Sequence, residues 1–270
     1  MSDFSLAELC IVAGADVFKD EHPEVFATVI GLVPRLGGSL AKKTFLPGLM
    51  MSDGEYYFAA EPVPVGKRNG YKPKKEGTIG YERVFDLIPK GNRHAFVGPV
   101  QVDKYGQMNL SCIGDYAAPK VTMLGVRGLP GNTVNNRTSM FFGNHNKRAF
   151  VEGEVDMVSG AGYNPARYVN GVYPKGLDHR RIVTNLCVLD FEGPDHAIRV
   201  RSLHPGVSFE QVQDNTGFDL IRPEDLDETP APTQEQLDII AQLDPHNLRC
   251  LLYTSPSPRD ATLSRMPSSA

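Results

Sequence analysis

The chain has 270 residues, 28 Lys+Arg against 32 Asp+Glu, a formal net charge of −4, 41% hydrophobic residues and no Trp. This suits one large α/β domain or two small ones, and the acidic balance excludes the basic surface that a sequence-independent nucleic-acid binder needs. No apolar run reaches the roughly 18–20 residues that cross a bilayer. Met1-Ser2-Asp3-Phe4 lacks the basic start and apolar centre of a secretory signal, and Cys10, Cys112, Cys187 and Cys250 are too widely spaced for a metal knuckle or a disulfide framework. The expectation is a cytoplasmic protein with neither a membrane nor a nucleic-acid partner.

Taken in chain order, Ser5-Leu-Ala-Glu8 is a capping box that opens a helix with Leu6, Leu9, Cys10, Ala13 and Val17 on its apolar face. A strand is predicted at 27–32, a helix at 34–44 around Leu36, Leu40 and Ala41, and a strand at 49–51. Residues 61–80 form a loop made basic by Lys67, Arg68, Lys72, Lys74 and Lys75. A helix at 82–88 follows, then strands at 94–97, 109–113, 121–126, 149–151, 182–191 and 197–203. Ser208-Phe-Glu-Gln211 opens a short helix that Gly217 closes, and Thr233-Gln-Glu-Gln236 opens one with Leu237, Ile240 and Ala241 that Pro245 stops. Residues 184–191, TNLCVLDF, are apolar on both faces, which predicts a buried, largely parallel sheet flanked by helices.

Ten of the 21 residues from Cys250 onward are Ser, Thr or Pro, with no Gly and no apolar period. This tail reads as disordered or as non-native translated adapter sequence, and no function is expected of it. Without its two Arg and one Asp, residues 1–249 carry 26 basic against 31 acidic side chains, and they read as one α/β domain.

Chemistry is written weakly. Gly125, Gly128 and Gly131, with Asn132, follow the predicted strand at 121–126, and glycines there let backbone N–H groups approach an oxyanion. A glycine-rich turn needed only for its shape fits that spacing equally well. Ser52-Asp53-Gly54-Glu55 follows a strand, where α/β sheets bind ligands, but Asp-Gly is also ordinary turn chemistry. Gln101 to Asn109 reads as a polar turn with Gly106 left-handed and Asp103 and Lys104 a solvated pair. The seven histidines form no HxH or HExxH pattern, so no metal site is expected, and no GxSxG elbow is present.

Six segments taken in register do more: 44–55 (TFLPGLMMSDGE), 101–109 (QVDKYGQMN), 125–133 (GVRGLPGNT), 147–163 (KRAFVEGEVDMVSGAGY), 184–191 (TNLCVLDF) and 202–218 (SLHPGVSFEQVQDNTGF). Together they identify the chain as resembling the beta subunit of family I CoA-transferases over nearly all of 5–249. GNHNKR at 143–148 and FEGPDHAIR at 191–199 resemble the branch that cleaves the rings of cholesterol.

The resemblance implies a CoA-transferase-like α/β fold, a homologous alpha subunit in an α2β2 assembly, and an acyl-CoA substrate between the subunits, with coenzyme A as part of the substrate and no separate cofactor. It implies that Gly125 to Asn132 is an oxyanion loop. It also places Ser52 where transferases carry a nucleophilic Glu, so a glutamyl thioester is not expected; Glu55 lies three residues on. The ring-cleaving branch instead opens an oxocyclohexene carboxyl-CoA by water addition and retro-Claisen cleavage, with its base on the alpha subunit. This chain is then expected to supply the oxyanion loop and polar groups such as Ser52, Asn132, Asn144 and His145, with the basic loop 67–75 near the CoA phosphates. A CoA-transferase of the glutaconate or 3-oxoacid type, and a non-catalytic scaffold, are the alternatives.

Overall fold

In the computed structural model, residues 4–52, 57–80, 83–123, 125–126 and 128–252 are described. Helix α1 (Leu6–Asp16) begins as its sequence predicts. The Ser5 hydroxyl accepts from the Glu8 N–H, and the Glu8 carboxylate accepts from the Ser5 N–H at 2.8 Å. Two donors left bare by the first helical turn are thereby satisfied. Strand β1 (Phe26–Val29) then leads through Gly31, at φ +107°, into α2 (Leu32–Lys43). That backbone angle is open to glycine and hostile to other residues, and it lets the chain turn at once from strand to helix.

The central sheet contains, among the described residues, β1, β2 (Arg93–Val97), β3 (Arg137–Phe142), β4 (Asp178–Thr184), β5 (Cys187–Asp190), β6 (Arg199–Leu203) and β7 (Asp227–Glu228), side by side in chain order. Strands β1 to β4 are parallel, β5 runs against both neighbours, and β6 and β7 are parallel. Beyond β1 the edge is covered by Met50, which bridges Phe26.

Two cores lie on the two faces. On one, α1, α2 and α5 (Gln234–Leu243) bury Ile11, Leu36, Leu40 and Ile240 against Phe96, Val183 and Val188. On the other, Met140, Ile182, Leu189 and Val200 pack beneath Met108, Phe150 and Tyr163, with Leu129 of α3 (Leu129–Asn135) and Val212 of α4 (Phe209–Asp214). This second face is closed mostly by long irregular segments, which leaves loops in contact with the sheet's interior.

Five predicted strands differ. Residues 49–51 make only the bridge of Met50 to Phe26, and 109–113 breaks into Met108–Asn109 and Cys112–Ile113, each in its own small hairpin, because the Asn109 side-chain oxygen accepts from Ser111 N–H and turns the chain between them. The run at 182–191 is a hairpin, because the Thr184 hydroxyl accepts from both Leu186 N–H and Cys187 N–H and reverses the chain. Residues 149–151 make only a single ladder contact, Phe150 with Val102. Of 121–126, only Val121–Thr122 is strand, an exposed piece paired with Cys112–Ile113, so no buried strand precedes the glycines.

Candidate functional site

Strands β2 and β3 end side by side, and their carboxyl ends open into a cavity of about 720 Å³. This is where a parallel sheet with crossover connections usually leaves room for a ligand. Val100, Ile113, Phe141, Phe142 and Val151 give it apolar walls; Gln101, Asn144 and Asn146 supply amides, and Arg148 is the one charged lining residue among those described.

Local bonds fix the polar wall. The Asn146 side-chain oxygen accepts from Arg148 N–H at 2.9 Å and Ala149 N–H at 3.3 Å, while its amide donates to the Asn144 carbonyl at 3.1 Å. Gln101 is held by the Asn109 amide, which donates to its oxygen at 2.7 Å, and by Asp156 N–H at 3.1 Å.

Asn144 and His145 are adjacent but differently placed. Asn144 is exposed in the cavity wall, and His145 is buried beneath it at 3% exposure. The Thr216 hydroxyl donates to Val212 O, so His145 Nε2–H donates to Thr216 Oγ1 at 3.0 Å. His145 Nδ1 faces Thr184 Oγ1 at 3.1 Å, and the ring stacks on Phe150 with centroids 3.7 Å apart. Its backbone N–H donates to Asn185 Oδ1 at 2.6 Å. Burial pulls the imidazole pKa down to about 3. A proton on Nδ1 would meet a hydroxyl oxygen already accepting two N–H groups, which reinforces the neutral form. His145 therefore pins the 143–149 turn to the β4–β5 hairpin.

The glycine segment stands elsewhere. Gly128 precedes α3, and a Cβ on it would lie 2.6 Å from Ile88 Cδ1; one on Gly131 would lie 3.0 Å from Ile88 Cγ2. Both glycines admit Ile88 against the helix. Gly125 has φ +85° and nothing within 4 Å of a would-be Cβ, so its backbone angle, and not packing within the chain, calls for glycine. Asn132 is buried, its amide donating to Thr138 Oγ1 at 3.2 Å, while its side-chain oxygen has no partner. Ser52 bridges Phe58, and its carbonyl accepts from the Arg35 guanidinium at 2.9 Å. None of Ser52, Gly125, Gly128, Gly131 and Asn132 lines the 720 Å³ cavity. Glu55, with Asp53 and Gly54, lies outside the described residues.

Asp103 is a correction: it is fully buried and not a solvated partner of Lys104. Its carboxylate accepts from Tyr105 N–H, Gln107 N–H and, at 2.6 Å, Gln107 Nε2, and burial raises its pKa. Gly106 has the expected left-handed φ of +75°. In the basic loop, Lys74 pairs with Glu61 at 2.5 Å and Lys75 sits over the Tyr57 ring.

One constellation has no sequence signature. Ser139 Oγ lies 2.9 Å from His94 Nε2, and His94 Nδ1 lies 2.8 Å from Glu21 Oε1, the order of a nucleophile relay. Ser139 and His94 have no exposure and the Glu21 side chain has 3%, so no substrate reaches them. Arg137, which also pairs with Glu21, completes a buried tie between the turn after α1 and strands β2 and β3. Among the described residues, no group of three or more His, Cys, Asp or Glu side chains could hold a metal, and no helix is long and apolar enough to cross a membrane.

Comparison with solved structures sets the class. The glutaconate CoA-transferase of Acidaminococcus fermentans superposes with a TM-score of 0.77 at 24% identity, covering 94% of this chain and 99% of that one. This is the CoA-transferase fold, α/β with a largely parallel sheet. The crystal structure of Rhodococcus jostii RHA1 IpdAB matches with a TM-score of 0.86 at 38% identity, covering 94% of this chain and all of that one. The cholesterol ring-cleaving hydrolase IpdB subunit of R. jostii RHA1 is 41% identical over 250 residues, 92% of this chain and 96% of the relative. The chain belongs to the family of these IpdB subunits. No family model matches it.

Proposed function

We propose that this chain is the beta subunit of a heteromeric acyl-CoA hydrolase that opens an oxocyclohexene carboxyl-CoA, the last ring of a steroid nucleus. Water adds, a retro-Claisen step breaks the ring C–C bond, and the electron pair rests as an enolate beside the thioester before protonation. The observation that carries this reading is the full-length likeness to the ring-cleaving IpdB subunit and to IpdAB. The serine at position 52 agrees with it, since a neutral hydroxyl is not the carboxylate that forms the transferase's acyl-enzyme anhydride and thioester.

The alpha subunit, homologous and paired in an α2β2 assembly, supplies the base in this reading. Residues 125–132 face it as the oxyanion loop, with Gly128, Gly131 and Asn132 stabilising the enolate. Ser52, Asn144 and the cavity amides orient the substrate, with His145 holding Asn144 in place, and Glu55 is a further candidate beside Ser52. Coenzyme A enters as part of the substrate, and no separate cofactor or metal takes part. Residues 1–249 form the one CoA-transferase beta-type domain, the tail from Cys250 carries no function, and the complex works in the cytoplasm, away from membrane and nucleic acid.

The test is turnover by the purified two-subunit complex in H₂¹⁸O. Ring-opened product carrying ¹⁸O is the expected result. Transfer of CoA to an added carboxylate through a hydroxylamine-trappable enzyme thioester would establish the transferase alternative instead. Gly128→Val, which places side-chain atoms on the loop's glycine backbone, is expected to lower kcat by about 10²-fold or more, the scale of one lost oxyanion donor; unchanged turnover in an assembled complex would leave this chain a scaffold.

A further inference from the structure

We propose that Arg148 is the anion receptor of the cavity at the ends of β2 and β3. It takes an oxyanion of the acyl-CoA, either a phosphate of the coenzyme or a carboxylate on the acyl group. The inference deepens the reading above, because it treats this cavity as part of the acyl-CoA site.

Three observations carry it. First, among the described residues Arg148 is the single charge in a lining otherwise apolar or amide, and no acidic side chain lines the cavity with it. A cation against low-dielectric walls, without a carboxylate to neutralise it, focuses its field into the concave space. Second, no ion pair or side-chain hydrogen bond occupies its guanidinium among the described residues, although Arg137, Arg167, Arg180, Arg181, Arg199 and Arg249 are all paired. Its five donors remain free for a planar, bidentate partner such as carboxylate or phosphate.

Third, the backbone that carries Arg148 is fixed before any ligand arrives. Asn146 accepts the Arg148 N–H, and His145 is clamped beneath between Thr184 and Thr216. A receptor mounted on such a turn spends nothing on ordering its backbone, and only the exposed side chain has to settle on the ligand. Asn144, exposed on the same wall, offers an amide for the neutral part of the ligand.

The experiment is titration of the assembled two-subunit complex with free CoA, glutaryl-CoA and pentanoyl-CoA, comparing wild type with Arg148→Gln and Arg148→Lys. Losing a charge-assisted bond weakens binding by about tenfold or more. Loss of that size for all three ligands supports the receptor and places the coenzyme phosphates on it. Loss for glutaryl-CoA alone supports it and places the acyl carboxylate there. Arg148→Lys is expected to recover part of the affinity, and raised salt is expected to narrow the gap between wild type and Arg148→Gln. Equal affinities of wild type and Arg148→Gln for all three ligands, or no binding by either, overturn the proposal.

The two readings fail separately. Wild-type ring opening with an unchanged KM in Arg148→Gln would sink the receptor and leave the hydrolase. Arg148-dependent binding without ring opening would do the reverse.

Discussion

His145 and His179 are neutral imidazoles whose burial has a measurable cost in acid. Burial lowers their pKa values to about 3 and about 4 from an ordinary value of 6.5. Below 6.5 the unfolded chain takes up protons on these rings while the folded chain does not, so stability is complete above that pH and falls as pH drops toward 4. Urea unfolding across pH 4–7 is expected to show this slope, and His145→Phe should flatten it. The same variant keeps a ring on Phe150 but takes one hydrogen-bond partner each from Thr216 and Thr184, which keep their others, with an expected loss of about 1 kcal/mol at pH 7. Asp103 works in the opposite sense: burial raises its pKa, so falling pH relieves rather than charges that site. Its burial was invisible in sequence, because Asp-Lys beside a left-handed glycine looks like any solvated turn until residues 154–163 are folded over it. Arg148 was equally hidden, since the segments that make its cavity lie far apart along the chain.

At the level of elements, what was legible was what is local. Ser5, Ser208 and Thr233 each cap the helix predicted for them, because the donor and acceptor lie three residues apart. Thr233→Ala is expected to cost about 1 kcal/mol, read as a lowered midpoint of denaturant unfolding. The hairpin at Thr184 was not legible: a threonine hydroxyl closes it, in a run without glycine or proline. Val121 misled for another reason, being apolar yet 52% exposed on a short outer hairpin. The contact of α1 with α2 depends on a missing methyl group. A Cβ on Gly37 would lie 2.8 Å from the Gly14 carbonyl carbon and 3.0 Å from Ala15 N. Gly37→Ala is expected to destabilise the chain by about 1–3 kcal/mol through overpacking. Gly125→Ala has open space and only an unfavourable φ to contend with, so about 1 kcal/mol is expected there. Thermal unfolding of the two variants side by side checks the contrast.

Across the whole molecule, the central sheet ends in short pieces at both sides. Met50 covers β1, and β7 offers only Asp227 and Glu228, both exposed and both acidic. A two-residue margin bearing like charges gives an incoming strand almost no ladder to extend and repels an acidic one. Association by continuing the sheet past β7 is thereby closed off, and a partner on that side is met through side-chain surfaces and loops. Hydrogen exchange on the assembled complex should accordingly show new protection outside β7, whose amides should exchange as they do in the free chain. The margin that looks most trivial in the fold thus acts as a stop codon for sheet growth on its side of the molecule, turning away copies of the chain that would otherwise add strand upon strand.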